Sequence, residues 1–362
     1  MKKVLLSSLT TIMLIVISQL SYGQMKTEEF SFTLDGKNYS GLIDMPTEKK
    51  PTALVVLIPG DGKTNVMEND WFPLIYNTRL KFVSAGLACC IWDKAGCGKS
   101  EGEYQYNQPV SSSANEALAA IEKLRQMNIV PHDKIGLWGI SRAGWICPVI
   151  IEKDKSIAFW ISVSGTDNLD SYRYLLESNL RIDGRTEAEI KVLMNEWDYL
   201  NKYQRGGKSY NEFIASTKNL LQDPLCKKLG LGVDDEENYN EIIEYYKKRS
   251  FVYDRKTGLQ ILVPKFEKTL NQVNCPTLAI CGEKDTQVNW RNTISLYKKT
   301  IGDNQKADLT IKTLPNCNHI MFQCETGGLW EDLSKFNWKV CDDYYDTVLS
   351  WVKEKGFGKN SR

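Results

Sequence analysis

The chain has 362 residues and a net charge of +1, with 46 basic side chains balancing 45 acidic ones. Apolar content of 42% and charged content of 25% are those of an ordinary globular protein, enough for one large domain or a core with an insert. The even charge, without a basic patch, argues against nucleic acid as a partner. With two histidines and no C-x-x-C among ten cysteines, a zinc cluster is not expected.

Lys2 and Lys3 precede an apolar run over residues 4–20, and Ser21-Tyr22-Gly23 offers small residues at −3 and −1 of a cleavage site. Residues 1–23 therefore read as a secretory signal peptide, with an exported, periplasmic or extracellular product. Ser7, Ser8, Thr10, Thr11 and Ser18 interrupt the run, which argues against a retained anchor. No second long apolar span follows, so no membrane span is expected after signal removal. Cys89, Cys90, Cys147 and Cys281 lie in or beside apolar runs, where cysteine acts as a small hydrophobe. One or two disulfides remain open, and the spacing does not choose pairings. Nothing in the pattern sets an oligomeric state.

Residues 29–34 and 37–45 alternate polar and apolar around Asp35-Gly36, a predicted β-hairpin. Residues 52–58 are apolar on both faces, as in a central parallel strand, and end at Pro59-Gly60-Asp61-Gly62. A helix over 72–85 closes at Gly86, and a second buried strand over 87–92 leads into Asp93-Lys-Ala-Gly-Cys-Gly-Lys-Ser100. That loop imitates the end of a P-loop, but Asp93 stands where the first glycine is needed. Ser113-Ala-Asn-Glu116 reads as a capping box opening a helix. The apolar strand 135–140 then runs into Gly139-Ile-Ser-Arg-Ala-Gly-Trp145 and a helix over 145–152, with a further strand over 157–163.

From 166 to 271 charged helices dominate. Thr186-x-x-Glu189 and Ser209-x-x-Glu212 are capping boxes, and Ile190, Leu193, Met194 and Trp197 form an apolar stripe. This stretch is too long for a βα connection and reads as a helical cap inserted between core segments 24–165 and 272–362. The sheet resumes at residues 276–281 and ends at Gly282-Glu-Lys-Asp285. A helix near 291–300 and a strand over 307–314 lead to Pro315-Asn-Cys-Asn-His319, and a last helix carries Tyr344, Val348 and Trp351. Strands alternating with helices predict an α/β fold with a mostly parallel, doubly wound sheet.

Three strand ends carry matched chemistry. Ser141 sits at the tip of a strand–turn–helix, the geometry that exposes a serine hydroxyl beside a base and oxyanion donors. Asp285 follows a later strand and His319 the last one. Sites in open parallel sheets form at the carboxyl ends of strands, so the three can meet. His132 precedes the serine's strand, at the wrong end of the sheet, and reads as a surface residue.

These motifs resemble the α/β-hydrolase superfamily, and within it the serine aminopeptidase-like and acylaminoacyl-peptidase-like serine hydrolases. The resemblance rests on Leu57-Ile-Pro-Gly-Asp61, the Asp93–Ser100 loop, the Ser141 elbow, Pro276-Thr-Leu-Ala-Ile-Cys-Gly-Glu-Lys-Asp285 and Asn318-His319. It spans about 50–165 and 272–355. It implies an α/β-hydrolase fold and a catalytic Ser141–Asp285–His319 triad. It also implies an oxyanion hole from the backbone N–H groups of Asp61 and Arg142, and no cofactor or metal. Two positions depart from the family pattern. Ala143 replaces the elbow's final glycine and is small enough to keep the elbow, and Ala95 replaces an arginine, which bears on a structural or site-shaping contact and not on the triad. The expected reaction is hydrolysis of a carboxylic ester or acyl bond on a small molecule. A peptidase acting on short peptides is the alternative, and a non-catalytic binding protein a third reading. Trp145, Trp290 and Phe322 flank the three residues in sequence and are candidate walls of an acyl pocket. An aminopeptidase would need a carboxylate for the substrate amine; Glu187, Glu189, Glu196 and Asp198 are candidates among which the sequence does not choose.

Overall fold

The computed structural model describes residues 25–106, 108–168, 172–203, 208–233, 235–248, 252–253, 260–304 and 307–358. The predicted signal peptide lies outside the described residues. Among those described, no helix is long and apolar enough to cross a membrane.

An eight-stranded sheet runs in the order β1-β2-β4-β3-β5-β6-β9-β10. Its strands are β1 (Met25–Leu34), β2 (Lys37–Pro46), β3 (Leu54–Ile58), β4 (Ala88–Trp92), β5 (Ile135–Ile140), β6 (Trp160–Val163), β9 (Thr277–Gly282) and β10 (Leu309–Leu314). The β1–β2 hairpin turns at Asp35 and Gly36, both at positive φ, and β2 joins β4 antiparallel. All remaining neighbours are parallel. This is the mostly parallel, doubly wound sheet of the α/β hydrolases.

The central strands are apolar throughout because both sheet faces are covered. Leu54, Val56 and Ile58 of β3 enter one apolar cluster, while Val55 and Leu57 enter the other. That is the period-2 alternation of a strand buried on both sides. Helix α1 (Pro73–Ser84) starts with proline at its first turn. It ends in a left-handed Gly86, whose N–H reaches Val83 O while Leu87 N reaches Phe82 O. This glycine cap turns the chain directly into β4.

Helix α2 (Val110–Gln126) begins three residues before Ser113, so Ser113 and Glu116 are interior and the predicted capping box is not formed. The reason is burial. Glu116 is turned inward, accepting from Gln108 Nε2 at 2.7 Å and Tyr39 OH at 3.3 Å, and burial pushes its carboxyl up. Pro109 starts the helix instead.

Helix α3 (Ala143–Lys153) follows β5. Between β6 and β9 come α4 (Tyr172–Ile182), α5 (Glu187–Tyr203), α6 (Tyr210–Ser216), α7 (Lys218–Gln222), α8 (Pro224–Lys228) and α9 (Glu236–Lys248). They enclose a separate apolar cluster that includes Leu176, Ile190, Trp197, Phe213 and Tyr239. Both capping boxes at α5 and α6 are formed. A two-stranded ribbon of β7 (Val252–Tyr253) and β8 (Gln260–Ile261) follows, which the helical pattern did not suggest. Val263, Phe266 and Leu270 then pack on the sheet core, the last two from α10 (Phe266–Leu270). The chain has therefore rejoined the core before residue 272. Helix α11 (Trp290–Tyr297) precedes β10, and α12 (Tyr344–Glu354) closes the fold, with Trp138 Nε1 donating to Tyr344 OH.

Candidate active site

The sheet reverses its direction of winding between β3 and β5, where a parallel sheet opens a crevice at its carboxyl edge. Both flanking loops contribute to the site. Ser141 directly follows β5 with φ +56°, the left-handed region that a non-glycine residue enters at a cost of about 1–3 kcal/mol. The surroundings hold it there: Ser141 N donates to Val163 O at 2.9 Å, and Gly144 N to Ser141 O at 2.8 Å.

The displaced elbow glycine has a steric account. A Cβ on Gly139 would meet Ala143 Cβ at 2.7 Å and Cys147 Sγ at 2.8 Å, so position 139 must be bare while 143 has room for one methyl. A Cβ on Gly144 would lie 2.6 Å from Thr166 N, so here the bare backbone lets α3 approach the loop after β6. Gly60 backs the serine, its notional Cβ 3.1 Å from Ser141 Cβ.

The loop after β9 supplies Asp285 and the loop after β10 supplies His319, both buried. His319 Nδ1 lies 2.8 Å from Asp285 Oδ2. Asp285 Oδ1 accepts from the backbone N–H groups of Gln287 (2.8 Å) and Val288 (2.9 Å), which fixes the carboxylate plane. Ser164, also at positive φ, donates from its hydroxyl to His319 O at 2.7 Å. Asn318 Oδ1 accepts from Ile320 N and Phe322 N. Tyr174 OH of α4 donates to Asp285 O at 3.0 Å, tying the inserted helices to the acid's loop. Ser164 and Tyr174 carried no sequence signal, because their partners are backbone carbonyls far along the chain.

A disulfide between Cys317 and Cys341 anchors the same loop two residues before His319. The other eight cysteines are buried and free, among them Cys89, Cys90, Cys147 and Cys281, which the sequence placed in or beside apolar runs as small hydrophobes. Closing a loop of this length contributes about 3 kcal/mol in the chain-entropy account. The double variant Cys317→Ser/Cys341→Ser is expected to lose about that much stability in urea unfolding, with a parallel loss of turnover as the His319 loop loosens.

Ser141 and His319 line one cleft of about 340 Å³, together with Asp61 and Arg142. The Arg142 guanidinium is buried, lies 3.6 Å from the Asp61 carboxylate and donates to Gln108 O. Burial lowers its pKa from the usual arginine value, with Asp61 opposing. Lys94 Nζ, which burial also lowers, donates to Gly60 O and Gly62 O at 2.5 and 2.9 Å. Gly98, the P-loop imitation, packs directly over the Asp93 carboxylate, whose Oδ1 accepts from Val66 N.

Of the flanking aromatics, only Trp145 walls the cleft. Phe322 is buried in the sheet core against Trp338, and Trp290 Nε1 donates to Glu283 O, away from the cleft wall. The other aromatic walls are Trp71, Phe72, Tyr106 and Tyr172, brought in from separate loops and α4. None of the four candidate carboxylates lines the cleft. Glu187 pairs with Arg181, Glu189 caps α5, Glu196 accepts from Asn219 and Leu220 N, and Asp198 lies 3.6 Å from Arg173. His132 is exposed at the start of β5, opposite the site.

Ser141 at its strained strand–helix turn and His319, bonded to buried Asp285, line one cleft at the carboxyl edge of this sheet, and the protein is an α/β-hydrolase of the serine hydrolase class. The family model of the X-Pro dipeptidyl-peptidases (S15 family) matches residues 18–314, and the chain belongs to that family. A polyketide transferase, grgF of Penicillium sp, is 24% identical over 260 residues, covering 68% of this chain and 79% of the relative. The solved structure of the α/β hydrolase GrgF from Penicillium sp. sh18 superposes with a TM-score of 0.51 at 16% identity, covering 91% of this chain and 99% of that one. Est1E from Butyrivibrio proteoclasticus, solved with ferulic acid bound, gives 0.50 at 15% identity, covering 90% and 96%. These two likenesses are of fold.

Proposed function

We propose that the protein is an exported serine hydrolase that cleaves a carboxylic ester or acyl bond through a Ser141–Asp285–His319 triad. Ser141 Oγ attacks the acyl carbon while His319 Nε2 takes its proton. Asp285 holds Nδ1–H and stabilises the imidazolium. The N–H groups of Asp61 and Arg142 receive the oxyanion. Collapse of the tetrahedral intermediate expels the alcohol, protonated by His319, and leaves an acyl-enzyme. Water, deprotonated by His319, then attacks and releases the acid. The short Nδ1–Oδ2 contact, with His319 and the half-buried Ser141 lining one cleft, is the observation that carries this reading. Export is supported by the leader-like first 23 residues and by a disulfide, which persists in oxidising compartments.

The cleft favours an uncharged, apolar acyl group. Trp71, Phe72, Trp145, Tyr172, Leu175, Val288 and Ile320 provide its apolar surface. The one carboxylate among the described lining residues, Asp61, is paired with Arg142. Among the described residues, the amine of a peptide N-terminus has no unpaired carboxylate to meet there. A peptidase remains the second reading because the matching family model is that of a dipeptidyl-peptidase. A panel of p-nitrophenyl esters set against aminoacyl and aminoacyl-prolyl anilides separates them. The expected result is kcat/KM at least about 100-fold higher on apolar esters, the scale of about 3 kcal/mol for a mismatched charged group. Preferential cleavage of free-amine anilides would favour the peptidase. No turnover of either class, with no acyl-enzyme formed, would favour a binding protein.

A further inference from the structure

We infer that Lys94 is the positioning residue of the oxyanion hole, setting the direction of the Asp61 N–H through the peptide plane it shares with Gly60. This rests on the proposed roles of Ser141 and Asp61.

Gly60 O and Asp61 N–H belong to one trans peptide unit, so they point to opposite sides of a single rigid plane. Beside the Asp61–Arg142 ion pair at 3.6 Å, which ties the Asp61 side chain, the loop has little to fix that plane. It is glycine on both sides of Asp61, and Gly62 sits at φ +92°, a region open to glycine. Lys94 Nζ grips the plane from behind, donating to Gly60 O at 2.5 Å, and pins the far side of the loop through Gly62 O at 2.9 Å.

Lys94 is itself held. It follows β4, its N–H donates to Thr64 Oγ1 at 2.9 Å, and the adjacent Asp93 carboxylate accepts from Val66 N at 2.9 Å. The loop after β4 therefore clamps the loop after β3 at Gly60, Gly62, Thr64 and Val66. A hydrogen bond from an ammonium to the carbonyl also polarises the amide, which strengthens the N–H on its other side as a donor. Both effects act on the charge that develops in the transition state, and neither requires Lys94 to touch substrate.

Lys94→Met keeps the aliphatic stem and removes the ammonium. Loss of an oxyanion donor outright costs about 10²–10³ in rate, so misalignment of one donor is expected to lower kcat about 10- to 100-fold. KM and the affinity for the product acid should stay within about threefold, and binding of an arylboronic acid, which forms a tetrahedral adduct on the serine, should weaken in step with kcat/KM. Lys94→Arg, which keeps a cationic donor, should recover part of kcat. Unchanged kcat and boronate affinity in folded K94M would overturn the inference, as would a loss carried by KM alone. If K94M does not fold, K94Q and K94R carry the test. Equal rates in those two variants and the wild type would overturn it, and a graded loss with the ammonium or guanidinium favoured would support it. Fluorophosphonate labelling of wild-type Ser141 is the reference. Its failure would remove the underlying reading, whereas wild-type labelling matched by K94M at the same rate would remove only the role of Lys94.

Discussion

Ser141→Ala is expected to lower ester kcat by about 10⁴–10⁶-fold, the scale found when a triad nucleophile is removed, while the protein stays folded. The cleft retains its walls and oxyanion donors, so binding of product acid should be nearly unchanged. The loss is large because, among the described residues lining the cleft, Ser141 is the one hydroxyl at a left-handed strand–helix turn, and it shares that cleft with His319. Alanine takes the same left-handed φ without the packing change that a larger residue would bring, so circular dichroism and the melting temperature are expected to match the wild type closely. Steady-state hydrolysis of an apolar p-nitrophenyl ester reads the effect. A residual kcat within tenfold of wild type would place the nucleophile elsewhere.

Asp285→Asn is expected to cost about 10⁴ in kcat, again with the fold intact. The reason lies in how the carboxylate is held. Oδ1 accepts two backbone N–H groups, from Gln287 and Val288. An asparagine must place its oxygen there, because an NH₂ would face two donors. Its NH₂ then faces His319 Nδ1, the atom now 2.8 Å from Oδ2. Nδ1 becomes the acceptor, the proton moves to Nε2, and the ring can no longer take a proton from Ser141. The substitution thus preserves shape and inverts the tautomer. Glutamate at 285 would not test this point, since its longer arm breaks both backbone contacts. Pre-steady-state kinetics should show slowed acylation; an unchanged burst rate in the folded variant would count against Asp285 as the partner of His319.

Much of the fold was legible because buried parallel strands leave continuous apolar runs, and because each run ended in a loop with distinctive residues. Ser141, Asp285 and His319 stand at such ends, and the topology carries strand ends to one edge. The glycine at 144 was legible only as a departure, since its reason is the approach of Thr166 N from another strand's loop. Glu116 looked like a cap because local sequence contains no sign that Tyr39 and Gln108 turn it inward. The cleft walls were the least legible part. Trp290 and Phe322 are close to the site along the chain and face elsewhere, while Trp71, Phe72, Tyr106 and Tyr172 are distant along it and face inward. Which aromatic lines a cleft is decided by loop paths and by the docking of α4, which periodicity does not encode. Lys94 was visible as part of a matched loop, but its two acceptors are backbone atoms, which no residue pattern marks.

The central claim is that Ser141 is an activated nucleophile, and covalent labelling tests it most directly. Wild-type protein and Ser141→Ala are treated with a fluorophosphonate and digested, and the adduct is located by mass spectrometry. One stoichiometric adduct on the peptide containing Ser141, absent from the variant, is the predicted result. A folded wild type that takes no label, or a label that persists in the variant at the same site occupancy, would contradict it.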